Sequence, residues 1–272
     1  SFYRPNAERP AILIEQGAFP SDRYAVESQI RFHGFDPAEC LIEVEPDPET
    51  GLIGADALED VLKQHGHRVA LILWPGVQYR TGQVFDLQAI TALGHFYGCT
   101  VGFDLAHAAG NLPLQLHDSG ADFAAWCSYK YLNSGPGSIA GAFVHERHAQ
   151  ADLPRFNGWW GHRQDTRFKM GSDCKGTPGA GGWQLSDPPI FAMAPLRTSL
   201  EIFHRAGLSN LRRKSLQLTA YLEALIEQEL GSVIRSVTPK SQEQRGCQLS
   251  LQVLAGREQG RPHTLEDAQG DE

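Results

Sequence analysis

No apolar run in these 272 residues is long enough to cross a bilayer; the strongest, Val69 to Pro75, is less than half of what a spanning helix needs. The opening Ser1-Phe2-Tyr3-Arg4-Pro5 has no apolar core of a secretion signal. Positive charge is in deficit, with 24 Lys and Arg against 32 Asp and Glu, a net charge of −8 and no basic stripe. Neither a membrane nor nucleic acid is therefore an expected partner. Cysteine is sparse and unpaired in pattern. Cys40, Cys99, Cys127, Cys174 and Cys247 stand singly, odd in number and without Cys-x-x-Cys, which speaks against a disulfide framework and a zinc site and for reduced thiols in a cytoplasmic chain. Gly135-Pro136-Gly137 and Gly176 to Gly182 do not follow a strand and open a helix as G-x-G-x-x-G does, so they read as turns rather than nucleotide loops.

What is present alternates. Ala11 to Glu15, Val69 to Leu73, Thr100 to Asp104 and Asp122 to Cys127 are short apolar runs that read as buried strands. Between them, Asp56 to His65 repeats apolar residues at Leu58, Val61 and Leu62, and Asp86 to Tyr97 does so at Leu87, Ile90 and Leu93, with Gly98 at its C-cap. A helix near Tyr24 with Ser21 or Asp22 as its cap is expected after Phe19-Pro20. The order predicts right-handed βαβ units and a mostly parallel sheet. Ile139 to His145 returns as an antiparallel strand, Arg163 to Trp183 reads as a long polar loop, and the pattern from Phe191 onward is helical.

In such a sheet, ligands sit beyond the carboxyl ends of the strands. Asp104 ends one predicted strand, His107 follows it, and Lys130, 26 residues after Asp104, lies just past another. An acid and a lysine so placed are what a pyridoxal phosphate site requires. The lysine amine holds the cofactor, and the carboxylate keeps the pyridine nitrogen protonated.

The surrounding blocks carry a more specific likeness. Phe19-Pro20-Ser21-Asp22 with Tyr24 to Gln29, Gly102-Phe103-Asp104-Leu105-Ala106-His107, Trp126 to Asn133, Gly158-Trp159-Trp160-Gly161-His162, Thr166 to Met170 and Pro188-Pro189-Ile190 resemble the kynureninases. That resemblance implies the α/β fold-type-I fold of pyridoxal-phosphate-dependent transferases: a mostly parallel sheet flanked by helices in a three-layer sandwich. It further implies an incomplete large cofactor-binding domain over 1–190, and a helical bridge with the start of a small C-terminal domain over 191–255. Residues 256–272 read as a disordered or non-native tail. The chain opens on Ser1 and the family is longer at both ends, so a piece of a larger enzyme is expected.

By the same resemblance the cofactor is pyridoxal 5'-phosphate and the substrate L-kynurenine or its 3-hydroxy form. It is cleaved to anthranilate, or 3-hydroxyanthranilate, and L-alanine. Lys130, Tyr129 and Asp104 are the implied catalytic residues. Phe19, Pro20, Ser21, Asp22, Asp104, His107, Tyr129, Lys130, Trp159 and Asp187 are the implied cofactor contacts, with no metal. Within that set, Phe19 is the ring-stacking partner, His107 contacts the cofactor or orients Asp104, and Trp159 reaches across from the second subunit of a homodimer with shared sites. Two positions depart from the family pattern: Pro75 replaces a hydroxyl residue, and Asp187 offers a carboxylate where an amide is usual. The phosphate-loop Leu-Thr pair and the substrate-carboxylate arginine find no counterpart. A related desulfurase or aminotransferase is the rival enzyme, although Tyr129 stands before Lys130 where a desulfurase has histidine. A non-catalytic piece is the rival of another kind.

Overall fold

The computed structural model describes residues 1–254, so the expected tail at 256–272 lies outside the described residues. Its centre is a six-stranded sheet. In chain order the elements are β1 (Ala11–Glu15), α1 (Pro20–Phe32), α2 (Pro37–Cys40), β2 (Leu41–Val44), α3 (Ala55–His65), β3 (Val69–Pro75), α4 (Leu87–Phe96), β4 (Thr100–Asp104), β5 (Phe123–Trp126) and β6 (Gly141–Val144). The strands lie in the order β2-β1-β3-β4-β5-β6. All neighbours are parallel except β5 and β6, which pair antiparallel with Phe123 opposite Val144.

Helices cover both faces, and the pleat decides which residues meet them. Ala11 and Leu13 of β1 join Leu58 and Leu62 of α3 and Ile90 of α4 in one core. Ile12 and Ile14 point the other way, onto Val26 and Ile30 of α1. All five residues of β1 are buried, which is why that strand shows no alternation in the sequence. Asp86 caps α4 by accepting from Ala89 N–H, and Gly98, at φ +72°, turns the chain into β4.

Three elements differ from what the sequence predicts. First, α1 begins at Pro20 with Phe19 at its N-cap, not near Tyr24, and neither Ser21 nor Asp22 caps it. Proline's fixed φ suits the first helical position, so the helix starts one turn sooner than a Ser or Asp cap implies. Second, β2 had no clear sequence signal, because Leu41–Val44 is a four-residue edge strand directly after a single-turn helix. Third, the stretch from Arg163 to Trp183 is not structureless: it holds α5 (Gln164–Arg167) and a 3-10 turn at Gly179–Trp183.

Beyond the sheet come α6 (Ile190–Ala206), α7 (Leu208–Leu230) and an antiparallel pair, β7 (Ile234–Ser236) with β8 (Leu251–Val253). Gly207, at φ +77°, separates the two helices. The chain between β7 and β8 runs back to the loop after β3, where Val84 N–H donates to Gln244 O at 2.9 Å.

Candidate active site

The carboxyl ends of the parallel strands converge on one place. β3 ends at Pro75 and β4 at Asp104, in register with each other. Asp104 Oδ1 accepts from Ala106 N–H at 2.8 Å, a turn that fixes the carboxylate as the strand ends. Lys130 follows β5 in a tightly pinned turn: Ser134 Oγ donates to the buried Ser128 Oγ at 2.6 Å, and Asn133 N–H to Lys130 O at 3.1 Å. The loop after β4 packs directly on this turn. Gly110, at φ +86°, lies so near that a Cβ there would stand 2.8 Å from the Tyr131 carbonyl.

Phe19, Asp22, Asp104, His107 and Lys130 are brought together. Lys130 Nζ lies 5.5 Å from the centroid of the Phe19 ring, and Phe19 meets Tyr79 edge-on at 5.3 Å. Pro20, Ser21 and Asp22 form the first turn of α1 beneath. The Asp22 carboxyl is hydrogen-bonded to Asp104 and pushed up to about 7, first by burial and then by the Asp104 charge, with Lys130 opposing. Glu15, at the buried end of β1, is pushed up to about 8 by burial, with Asp22, Asp104 and Glu43 adding repulsion. Three carboxyls thus crowd one another, and burial with mutual repulsion raises two of them, Glu15 and Asp22.

His107 does not hydrogen-bond to Asp104. Among the described residues its Nδ1 is buried without a partner, and burial, then Lys130, holds its pKa below the ordinary value. Tyr129 is half-exposed, and its pKa is raised first by a hydrogen bond to Cys127. Trp159 is 44% exposed and packs edge-on against Phe168 at 5.9 Å. Asp187 is exposed as well. Among the described residues no hydrogen bond, ion pair or aromatic contact links Trp159 or Asp187 to Lys130.

The residues fit the expected cofactor at its ring. An acid-rich recess accepts a protonated ring nitrogen, the orphaned His107 Nδ1 awaits a polar partner, and Phe19 offers an aromatic face beside a lysine. Pro75, lacking hydroxyl and N–H, offers no side-chain hydrogen bond there. Sequence reasoning missed Glu15 and the Asp22–Asp104 pairing. The available signal was the same as for Asp104, a carboxylate ending an apolar strand. Two surface hollows, about 630 Å³ beside Trp160 and Arg167 and about 750 Å³ along Met193, Leu196 and Leu200, lie elsewhere. The site is found by its chemistry, not by an enclosed cavity.

Comparison with known proteins follows the same line. The family described as aminotransferase class-V matches residues 40–263. A kynureninase of Stenotrophomonas maltophilia (strain K279a) is 62% identical over 262 residues, covering 96% of this chain and 62% of its own length. One from Xanthomonas campestris pv. campestris (strain B100) is 61% identical over 261 residues, with the same coverage. The chain thus spans about 62% of the length of these relatives. Among solved structures, the cysteine desulfurase CsdA of Escherichia coli superposes with a TM-score of 0.70 at 17% identity, over 93% of this chain and 58% of that one. An alanine–glyoxylate aminotransferase of Nostoc sp. does so at 0.67 and 19%, over 93% and 62%. At such identities these two establish the fold-type-I fold alone.

Proposed function

The chain belongs to the aminotransferase class-V family, and on that footing we propose that it is the cofactor-bearing part of a kynureninase. The reaction is hydrolysis of the Cβ–Cγ bond of L-kynurenine, or of its 3-hydroxy form, to L-alanine and the corresponding anthranilate, with pyridoxal 5'-phosphate as cofactor. The identity to two kynureninases supports the substrate class. The observation that carries the chemistry is the convergence of Asp104, Asp22 and Phe19 on Lys130 at the strand ends.

When bound, the cofactor supplies an electron sink next to the Cα of the amino acid. Lys130 would hold it by its amine, Asp104 by its ring nitrogen, Phe19 by its face, and His107, Tyr129 and the Pro20–Ser21–Asp22 turn at its edges. Asp22, raised to about 7 by burial and then by Asp104, would hold less negative charge in the recess than an exposed aspartate. Lys130 would take the α-proton of the substrate and, after the bond is cleaved, give it back to Cα of the alanine product. Water adds to the Cγ carbonyl, the Cβ–Cγ bond breaks, Cγ leaves as the carboxylic acid, and the Tyr129 hydroxyl returns a proton to Cβ.

We place the cofactor-binding domain at 1–190, and the bridge with the start of a smaller domain at 191–255. The exposure of Trp159 and Asp187 supports a homodimer in which both serve the neighbouring site. Among the described residues no helix is long and apolar enough to cross a membrane. The test is direct. With pyridoxal phosphate added, the parent protein should gain a visible absorption band that Lys130→Ala lacks, and a protein extended to the relatives' length should release anthranilate from kynurenine. A band unchanged in Lys130→Ala, or an extended protein that binds the cofactor but leaves kynurenine intact, would refute the reading.

A further inference from the structure

Arg167, the last residue of α5, is buried. Among the described residues it makes no ion pair, and Asp165, two residues before it, is taken by Arg163 at 2.8 Å. A buried cation without a carboxylate partner costs stability, so its place is explained by what it holds. Its Nη2 donates to Trp160 O at 2.6 Å and to His162 O at 2.8 Å. The guanidinium also lies over the Trp160 ring, 4.6 Å from the centroid. Between those two carbonyls, Gly161 O accepts from Thr177 N–H at 2.7 Å. A Cβ on Gly161 would lie 2.7 Å from Gln184 O, so this turn has no room to shift on that side. Three successive carbonyls are thus pinned, two of them by Arg167. The residue before them is the half-exposed Trp159, whose ring meets Phe168, the neighbour of Arg167, edge-on at 5.9 Å.

We propose that Arg167 is a positioning residue for Trp159: its guanidinium fixes the Trp160-Gly161-His162 turn, Phe168 beside it braces the indole, and Trp159 is thereby held ready to donate to the cofactor phosphate of the neighbouring site. This rests on the reading of Trp159 as a cofactor contact across a homodimer. An indole offers one N–H donor and no acceptor, which suits an anionic partner. Holding it in place beforehand spares the ordering of a turn when the cofactor binds. Arginine suits the task because its flat face lies on Trp160 while one nitrogen serves two carbonyls. A lysine could reach the carbonyls but has no flat face to stack.

The experiment titrates pyridoxal phosphate into protein extended to the relatives' length and follows the visible band. Trp159→Phe removes the indole N–H and Arg167→Met the guanidinium, and each should weaken binding by about tenfold. Arg167→Lys, which keeps the charge without the flat face, should recover part of this and lose roughly threefold. Trp159→Phe combined with Arg167→Met should bind no more weakly than Trp159→Phe alone, because Arg167 acts through the indole. Losses that multiply to about a hundredfold would overturn the proposal, since a residue that only stabilises the fold weakens binding whether or not the indole is present. Trp159→Phe protein that binds as tightly as the parent would overturn it too. If Arg167→Met does not fold, Arg167→Lys takes its place in the same cycle, and a loss that persists beside Trp159→Phe is the contrary result. A parent that shows no band refutes the functional reading and this proposal with it, whereas a normal parental band with multiplied losses refutes the role of Arg167 alone.

Discussion

Two carboxyls, Glu15 and Asp22, hold protons that water would not let them keep. Glu15 titrates near 4.5 in an unfolded chain but at about 8 here, so the folded state binds the extra proton between those values. Stability from this group is therefore whole below pH 4.5 and is lost as pH rises toward 8. Glu15→Gln removes that dependence. Its unfolding free energy should match the parent's near pH 4.5 and exceed it increasingly toward pH 8, by about a few kcal/mol. Parallel pH profiles would mean Glu15 ionises freely. Asp104→Asn tests the other end of the cluster. The Asp22 titration should fall from about 7, since a like charge is gone, yet stay above the ordinary 3.8 because burial is the larger cause. In a protein extended to the relatives' length, the same change should slow kynurenine cleavage by ~3–5 kcal/mol of barrier, the cost of leaving a charge unpaired. Comparable turnover would mean another group faces the ring nitrogen.

At the scale of elements, β1 and β4 were legible to the residue, because buried parallel strands are unbroken apolar runs bounded by turns. Asp104 and Lys130 were legible for the same reason, as polar residues at or just beyond strand ends. The start of α1 was not, because Pro20 acts at the first helical position without a capping side chain before it. Phe19 illustrates a conflict between levels, occupying an N-cap it does not cap. Phe19→Ser should supply a cap and leave the cofactor-free protein as stable or more so by ~1 kcal/mol. It should also weaken pyridoxal phosphate binding through loss of an aromatic contact of roughly 0.5–1.5 kcal/mol. Undiminished affinity would remove Phe19 from the site. Gly102 guards the neighbouring strand, for a Cβ there would fall 2.1 Å from the Phe123 ring. Gly102→Ala should cost ~1–3 kcal/mol by overpacking, and it should displace β5 and with it Lys130; a wild-type melting temperature would contradict that.

The whole molecule leaves apolar surface uncovered. Phe156, Phe168, Met170, Ile190 and Phe191 are all more than 70% exposed, and Leu218, Tyr221 and Leu222 of α7 are largely so. The helices expected from Phe191 onward are present, but these apolar side chains find no cover among the described residues. A shared-site dimer gives that surface, and Trp159, a use. Lys130→Ala and Trp159→Ala proteins, each impaired alone and extended to the relatives' length, should recover about a quarter of parental activity when mixed and reassembled, because half the dimers would carry one intact site. No recovery despite exchange of subunits would confine each site to one chain.

All of this depends on Lys130 being the residue that holds the cofactor. Borohydride reduction of the pyridoxal-phosphate-loaded protein, followed by proteolysis and mass spectrometry, measures that without requiring turnover. A stable phosphopyridoxyl group is expected on the peptide containing Ser128-Tyr129-Lys130, at Lys130. The same group on another lysine, with Lys130 unmodified in fully loaded protein, would contradict it.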